Sequence, residues 1–83
     1  MEDSFQLKIL EEDKTVYSGK AKYLSAVTSS GSIGFEAMHE GFAGTLASGS
    51  ILGFKTKDGE SRELTVNWGV LLFHDNKCTV TFA

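Results

Sequence analysis

The chain has 83 residues, of which 41% are hydrophobic and 23% charged, and its formal net charge is −3 at pH 7. This length can bury one hydrophobic core but not two, so we expect residues 1–83 to form a single domain. The eight Lys and Arg are scattered along the chain, which leaves no basic surface for phosphates and argues against nucleic acid as a partner.

Neither a membrane anchor nor a disulfide is expected. No apolar run approaches the roughly 20 residues of a membrane-spanning helix, and the segment Met1–Ser4 is acidic where a signal peptide would be basic. Cys78 is the single cysteine, so it cannot close an intrachain disulfide. This is typical of a reducing compartment, and we expect a protein of the cytosolic side.

The first third of the chain has the period of two that is typical of half-buried strands. Phe5, Leu7 and Ile9 alternate with polar residues, and the charged run at 11–14 indicates an exposed turn. The predicted strands are residues 4–10, a short piece at Val16-Tyr17 that ends or bulges at Gly19, and residues 21–28.

Six further strands are predicted in the rest of the chain, paired around turns. Asp58-Gly59 is a dipeptide that accepts positive φ at both central positions of a tight hairpin. Asp75 and Asn76 also tolerate left-handed backbone, so they predict a second turn. The strands are Ile33–Phe35, Gly44–Leu46, Ile51–Lys55, Arg62–Val66, Val70–Phe73 and Cys78–Phe82.

No segment has a helical period of ten or more residues, and turn signals recur every 8 to 12 residues or so. We therefore predict an all-β fold, a flattened β-sandwich or barrel of about ten short, mostly antiparallel strands. One face of each strand supplies the predicted core, namely Leu7, Ile9, Ile33, Leu46, Ile51, Leu64, Val66, Leu71 and Val80.

Candidate catalytic residues are few. His39, His74 and Cys78 could serve a small metal-dependent enzyme, but a zinc site needs a fuller set of ligands and Cys78 stands where a small buried residue is common. The glycines at 31 and 34 are followed by neither a helix nor a lysine, so they do not predict a phosphate site. We expect no catalytic residue, metal or cofactor. Trp68 is either an exposed partner anchor or a core or strand-edge residue.

Three groups of residues carry a resemblance to a known family: Tyr17-Ser18-Gly19, then Gly31-Ser32-Ile33-Gly34-Phe35, then His39 with Gly49. In this order and spacing they resemble the N-terminal domain of the epsilon subunit of F-type ATP synthases. That domain typically reads aromatic-x-Gly, Gly-x-hydrophobic-Gly-hydrophobic, Pro-Gly-His-x-Pro and Pro-Gly. The resemblance covers essentially the whole chain.

The chain departs from the family's proline and glycine motifs at four positions, and Ser32 also replaces an acidic residue that is often seen in the family's loop. Ala37-Met38 replaces Pro-Gly before His39, and Gly41 and Ser48 stand at two other proline positions. If position 38 requires positive φ, Met38 is strained there, and Gly41 could take over the bend. The family commonly adds a C-terminal two-helix hairpin, whereas this sequence ends at Ala83, either because the protein is a short epsilon or because this is only its N-terminal domain. In both cases the inhibitory and nucleotide-sensing roles are not carried over.

The resemblance implies a non-catalytic subunit at the foot of the rotating central stalk, which couples the gamma subunit to the membrane c-ring during proton- or sodium-driven ATP synthesis. It implies a peripheral location at the cytoplasmic face of the bacterial inner membrane. By position, Ser30, Gly31, Ser32 and His39 would face the c-ring. We expect the gamma contact at Met38, Phe42 and Leu46, because apolar residues are enriched in interface cores.

Two other readings of the sequence remain open. The chain could be an unrelated small β-sandwich that binds a protein or a ligand at an exposed sheet edge. It could also be the metal-dependent enzyme considered above.

Overall fold

The computed structural model describes residues 3–83, which contain strands and turns only. The all-β class is thereby confirmed, with eight strands where about ten were predicted. They are β1 (Phe5–Glu11), β2 (Lys14–Thr28), β3 (Gly31–Phe35), β4 (Phe42–Leu46), β5 (Ile51–Thr56), β6 (Ser61–Thr65), β7 (Gly69–His74) and β8 (Lys77–Phe82).

Within residues 3–83 there is no helix long and apolar enough to pass through a bilayer.

The prediction of two separate strands around Gly19 was wrong, because β2 continues through this position. Gly19 pairs with Leu7 of β1 inside the ladder. The Tyr17 hydroxyl donates a hydrogen bond to the Lys20 carbonyl oxygen at 2.9 Å. A Cβ at Gly19 would lie 2.9 Å from the Tyr17 Oη. The glycine therefore makes room for a tyrosine ring rather than ending the strand.

Strand β2 joins two layers of sheet. A straight strand of 15 residues would be about 45 Å long, yet the longest dimension of the molecule is 34 Å. The strand must bend, and the irregular pairing between Ala21 and Tyr23 marks the place. Its first half pairs with β1, and its second half pairs with β3 and β5.

The result is a flattened sandwich. The eight strands form one continuous hydrogen-bonded sheet that folds over on itself. By their pairing, β4, β7, β8, β1 and the first half of β2 make one layer, and β3, the second half of β2, β5 and β6 make the other. A single pair, Thr28 with Leu46, also connects β2 to β4. All strand pairs are antiparallel except β1 with β8, which are parallel. The core lies between the layers, where residues 0–5% exposed come from seven of the eight strands and from Val66 just after β6.

The predicted core was mostly correct. Leu7, Ile9, Leu46, Val66, Leu71 and Val80 are all buried, while Ile33 and Leu64 are partly buried against the core. Ile51 is the exception at 55% exposed. It is the first residue of β5, and the inward positions of that strand belong to Leu52 and Phe54, so the alternation was predicted one residue out of phase.

Both predicted hairpin turns are present, but one has a different geometry. Asp75 and Asn76 have φ values of 50° and 60°, as predicted for the turn between β7 and β8. At the other turn only Gly59 has positive φ, 93°. Its N–H donates to the Thr56 carbonyl oxygen at 2.9 Å, and the Thr56 N–H donates to the Glu60 carbonyl oxygen at 2.8 Å. This loop is therefore longer than the predicted two-residue turn.

Candidate docking surface

The turn between β2 and β3 is exposed at its tip and fixed from below. The Thr28 Oγ1 accepts a hydrogen bond from the Ser30 N–H at 3.2 Å and donates one to the Gly31 carbonyl oxygen at 2.9 Å. Gly31 has a φ of 114°, which an L side chain rarely adopts. Ser30, Gly31 and Ser32 are exposed, so the turn presents hydroxyl and backbone groups in a defined conformation.

His39 was expected beside this turn, and the structure does not bring them together. Ser30 precedes β3, whereas His39 follows it, and a five-residue strand separates its two ends by about 13 Å. The serine turn instead adjoins the end of β4, because the Ser29 N–H donates to the Thr45 carbonyl oxygen at 3.0 Å. Of the four residues that were predicted to face the c-ring together, Ser30, Gly31 and Ser32 therefore lie at the start of β3, and His39 lies beyond its end.

His39 packs on the aromatic core at the other end of β3. Its ring centroid lies 4.7 Å from that of Phe35 and 5.6 Å from that of Phe73, both in edge-on geometry. Its Nδ1 lies 2.7 Å from the Glu40 carbonyl oxygen. Since a carbonyl oxygen can only accept, this bond requires the proton on Nδ1. The ring is half-buried, and it packs the last residue of the loop's turn against the core.

Met38 occupies the strained position that the sequence suggested. Its φ is 64°, and its side chain is 66% exposed. Gly41 does not take over the bend, because it is not among the residues with positive φ. The side chain of Met38 is thus held at the surface beside His39 by an unusual backbone conformation.

The two other predicted partner contacts differ in exposure. Phe42 is half-buried, and its ring lies 5.5 Å from that of Phe35 between centroids. A Cβ at Gly44 would come within 2.9 Å of the Phe42 ring, so the ring lies over this glycine. Leu46 is only 3% exposed. Its side chain belongs to the core, and it offers no surface to a partner in this conformation.

An apolar surface that was not predicted from the sequence lies on the outside of the first layer. Val70 and Leu72 of β7 are 44% and 51% exposed, and they face outward between β4 and β8. We call this surface the outer apolar face, and it consists of Ala43, Thr45, Val70, Leu72, Thr79 and Thr81. A signal was present in the sequence, because β7 reads Val-Leu-Leu-Phe without alternation, which indicates apolar residues on both faces.

Trp68 lies just before β7 and is 64% exposed. This exposure excludes a core position for Trp68, whereas a strand-edge position and a role as a partner anchor both remain compatible with it. The Trp68 carbonyl oxygen accepts a hydrogen bond from the Ala83 N–H at 3.0 Å. Its backbone is therefore tied down while its indole is accessible, as in an aromatic interface anchor.

The residues considered for catalysis do not form a site. Cys78 is 1% exposed, whereas His74 points to the opposite face of the sheet and pairs at the surface with Asp75 at 3.2 Å. Burial raises the pKa of the Cys78 thiol to about 12, so it stays protonated at neutral pH and is a poor nucleophile. Among residues 3–83 no three His, Cys, Asp or Glu are grouped closely enough to hold a metal ion.

The chain is thus a small all-β sandwich domain with an exposed turn and an apolar outer face, and comparison with known proteins assigns it to a family. The family model of the ATP synthase Delta/Epsilon chain beta-sandwich domain matches residues 4–82. The chain therefore belongs to this family.

The similar curated proteins are named ATP synthase epsilon chain, and two of them show the level of similarity. The one from Streptomyces avermitilis is 34% identical over 80 residues, which cover 96% of this chain and 64% of that protein. The one from Clostridium botulinum strain Eklund 17B is 31% identical, with 96% and 59% covered. The chain thus spans less than two thirds of the length of these relatives.

Two solved structures share the fold. A chain of the Euglena gracilis mitochondrial ATP synthase, from a cryo-EM structure of OSCP, F1 and c-ring, superposes with a TM-score of 0.89 at 18% identity and covers 99% of this chain and 52% of that one. A chain from the central stalk and c-ring of the Tetrahymena thermophila enzyme has a TM-score of 0.74 at 15% identity, with 93% and 61% covered.

Proposed function

We propose that this chain is a non-catalytic central-stalk subunit of an F-type ATP synthase, in which residues 1–83 form one domain that couples the gamma subunit to the c-ring. The observation that carries this proposal is the family match across residues 4–82. The names of the curated relatives and the origin of the similar structures support it.

The surfaces of the domain suit this mechanical role. A two-layer sandwich with a close-packed core is poorly compressible, so a force applied at one face is transmitted to the other. The outer apolar face and the exposed Met38 and Trp68 provide apolar contact area, and we assign the gamma contact to these residues together with the accessible edge of Phe42. Leu46 has no part in that contact, because it is buried.

We assign the c-ring contact to the serine turn. Ser30, Gly31 and Ser32 are exposed and fixed by Thr28, so their hydroxyl and backbone groups can hydrogen-bond to polar loops with little loss of conformational freedom. His39 belongs with the gamma-facing residues in this assignment, because it lies at the far end of β3.

The proposed location is peripheral, at the cytoplasmic face of a bacterial inner membrane, and follows from assembly into the synthase. The proposed subunit needs no cofactor and supplies no catalytic group. Coupling would be to protons or to sodium ions, whichever the c-ring of the same cell binds.

Co-purification tests the proposal. The tagged protein should capture the gamma subunit of the same genome as a stoichiometric complex, and together with gamma it should bind detergent-solubilised c-ring. A folded protein that captures neither at micromolar concentration would overturn the proposal. Specific capture of an unrelated protein would support the general binding-module interpretation instead.

A further inference from the structure

Asn76, at the tip of the turn between β7 and β8, contacts two segments that are distant in sequence. Its Oδ1 accepts a hydrogen bond from the Met38 N–H at 2.7 Å, and its Nδ2 donates one to the Ser4 carbonyl oxygen at 3.0 Å. Its own carbonyl oxygen accepts a hydrogen bond from the Gln6 N–H at 3.1 Å. One residue therefore ties the hairpin to the chain's first strand and to the loop between β3 and β4.

The loop between β3 and β4 needs such a tie. The His39 N–H donates to the Glu36 carbonyl oxygen at 3.2 Å, which closes a four-residue turn. Met38 is the third residue of this turn and has positive φ, whereas Ala37 does not. That pattern matches a type II turn, in which glycine normally occupies the third position. A methionine stays in this conformation only when its surroundings fix it.

The bond from Asn76 acts on the strained residue itself. It is short, and it takes up the one backbone donor of Met38. Since the Met38 side chain is 66% exposed, packing contributes little to holding the residue in place. Asn76 has positive φ too, and asparagine tolerates this better than most residues. The β7–β8 hairpin therefore directs the Asn76 side-chain amide toward the loop, and the backbone conformation of Asn76 is one that asparagine adopts readily.

We propose that Asn76 is a positioning residue for docking. Its side-chain amide holds the turn of Met38 and His39 in one conformation. This turn is part of the surface that we assign to the gamma contact, so Asn76 preorganises that part of the surface for binding. The inference rests on the proposed function for the identity of the partner. Whether Asn76 orders the turn can be measured in the isolated protein without the gamma subunit. The positioning role and the proposed function can therefore be refuted separately.

The test compares three variants. Asn76→Gly keeps the positive φ accessible and removes both side-chain bonds. Asn76→Asp keeps an acceptor for the Met38 N–H and loses the donor to Ser4. Thr56→Val is the matched control, because it removes one side-chain hydrogen bond, to the Glu60 N–H at 3.0 Å, in a different turn.

Two measurements are made on each variant. In the isolated protein, amide exchange at Met38 and the ring-proton NMR shifts of His39 report whether the turn is held, because His39 lies against two phenylalanine rings. Titration with the gamma subunit gives the affinity. A less populated docking conformation lowers the apparent affinity in proportion.

Asn76→Gly should raise Met38 amide exchange and lower gamma affinity by about tenfold each, while circular dichroism and the other amides stay unchanged. Asn76→Asp should keep Met38 amide exchange slow and gamma affinity close to that of the wild type. Thr56→Val should change neither at a temperature where it is folded.

Four outcomes of these measurements would contradict the positioning role or the docking role of Asn76. Unchanged Met38 exchange and His39 shifts in Asn76→Gly overturn the positioning role, whether or not gamma binds. A loosened turn with wild-type gamma affinity overturns its part in docking. Wild-type protein that does not bind gamma refutes the proposed function and with it the docking role. If Asn76→Gly does not fold, loss of turn order and affinity in a folded Asn76→Asp variant overturns the inference.

Discussion

The rings of Phe35 and Phe73 are nearly parallel and stack with an offset, with centroids 5.4 Å apart and an interplanar angle of 7°. Phe35 comes from β3 in one layer and Phe73 from β7 in the other, so the pair joins the two halves of the sandwich. Both side chains are fully buried. His39 packs against both rings and Phe42 packs against Phe35, which links the core directly to the proposed docking surface.

Truncation of this pair should destabilise the whole fold. We expect Phe35→Ala to lower the free energy of unfolding by about 3–5 kcal/mol, because it removes buried apolar area and leaves a cavity. Urea denaturation measures this change. The control is Trp68→Ala, which removes a larger ring that is 64% exposed and should change stability by about 0.5 kcal/mol or less. Equal losses in the two variants would contradict the assigned positions.

A charge on the outer apolar face should block gamma binding without unfolding the domain. Leu72 is 51% exposed, so Leu72→Glu places the new carboxylate in water in the free protein. In a complex the carboxylate would be buried without a partner, and we expect gamma affinity to fall by about tenfold or more. Isothermal titration with purified gamma subunit gives this number, and thermal unfolding verifies the fold.

Ile51→Glu is the matched control for that variant. Ile51 is a strand residue of similar exposure, 55%, on the outside of the other layer. It should leave gamma affinity unchanged. If both variants bind like the wild type, the outer apolar face is not the gamma contact. If only Ile51→Glu loses affinity, the contact is on the opposite layer.

Met38→Gly should stabilise the protein. The φ of 64° at Met38 disfavours a side chain by roughly 1–2 kcal/mol, and glycine adopts it freely. Since glycine also raises unfolded-state entropy, we expect a net gain of about 0.5–1 kcal/mol in the free energy of unfolding. Ala37→Gly, in the same turn but without positive φ, should destabilise by a similar amount. The same sign for both changes in urea denaturation would contradict this account of the turn.

Stability should fall at alkaline pH because of Cys78. Burial raises the pKa of this thiol from 9.0 to about 12. The unfolded chain therefore releases the proton near pH 9 while the folded chain retains it, and unfolding becomes easier as pH rises from 9 toward 12. Below pH 9 the thiol contributes no pH dependence. Denaturation curves between pH 7 and 11 measure the slope.

Cys78→Ala separates this effect from the titration of lysines and tyrosines. The variant should be less stable at pH 7, but its stability should fall less steeply above pH 9 than that of the wild type. The native thiol should also react with iodoacetamide at pH 8 only as fast as the protein opens. Rapid alkylation of folded protein would show that Cys78 is accessible, in conflict with its 1% exposure.

Most of the strands could be predicted from the sequence, because a period of two records which side of a strand is buried. The alternation at Phe5, Leu7 and Ile9 fixed β1 in this way. Prediction failed at Gly19, where a glycine inside a strand looks like a break. Its neighbour Tyr17 needs the space, and a contact of that kind is not visible in a linear pattern.

The candidate site was less predictable. Ser30, Gly31 and Ser32 are exposed as expected, but Leu46 is buried and His39 lies at the far end of β3. Position in a motif gives the order of residues along the chain and not the surface on which each one ends. The outer apolar face was missed because Val70 and Leu72 were read as ordinary strand residues.

The sequence by itself determined the all-β class, most strand positions, the left-handed turn at Asp75-Asn76 and the resemblance to the epsilon family, because each depends on local periodicity or residue order. The tertiary structure alone decided that β2 spans both layers, that Asn76 reaches Met38 across 38 positions of sequence, and which apolar residues face water. These features depend on packing between segments that are far apart in the chain, and a local sequence pattern does not encode such long-range packing.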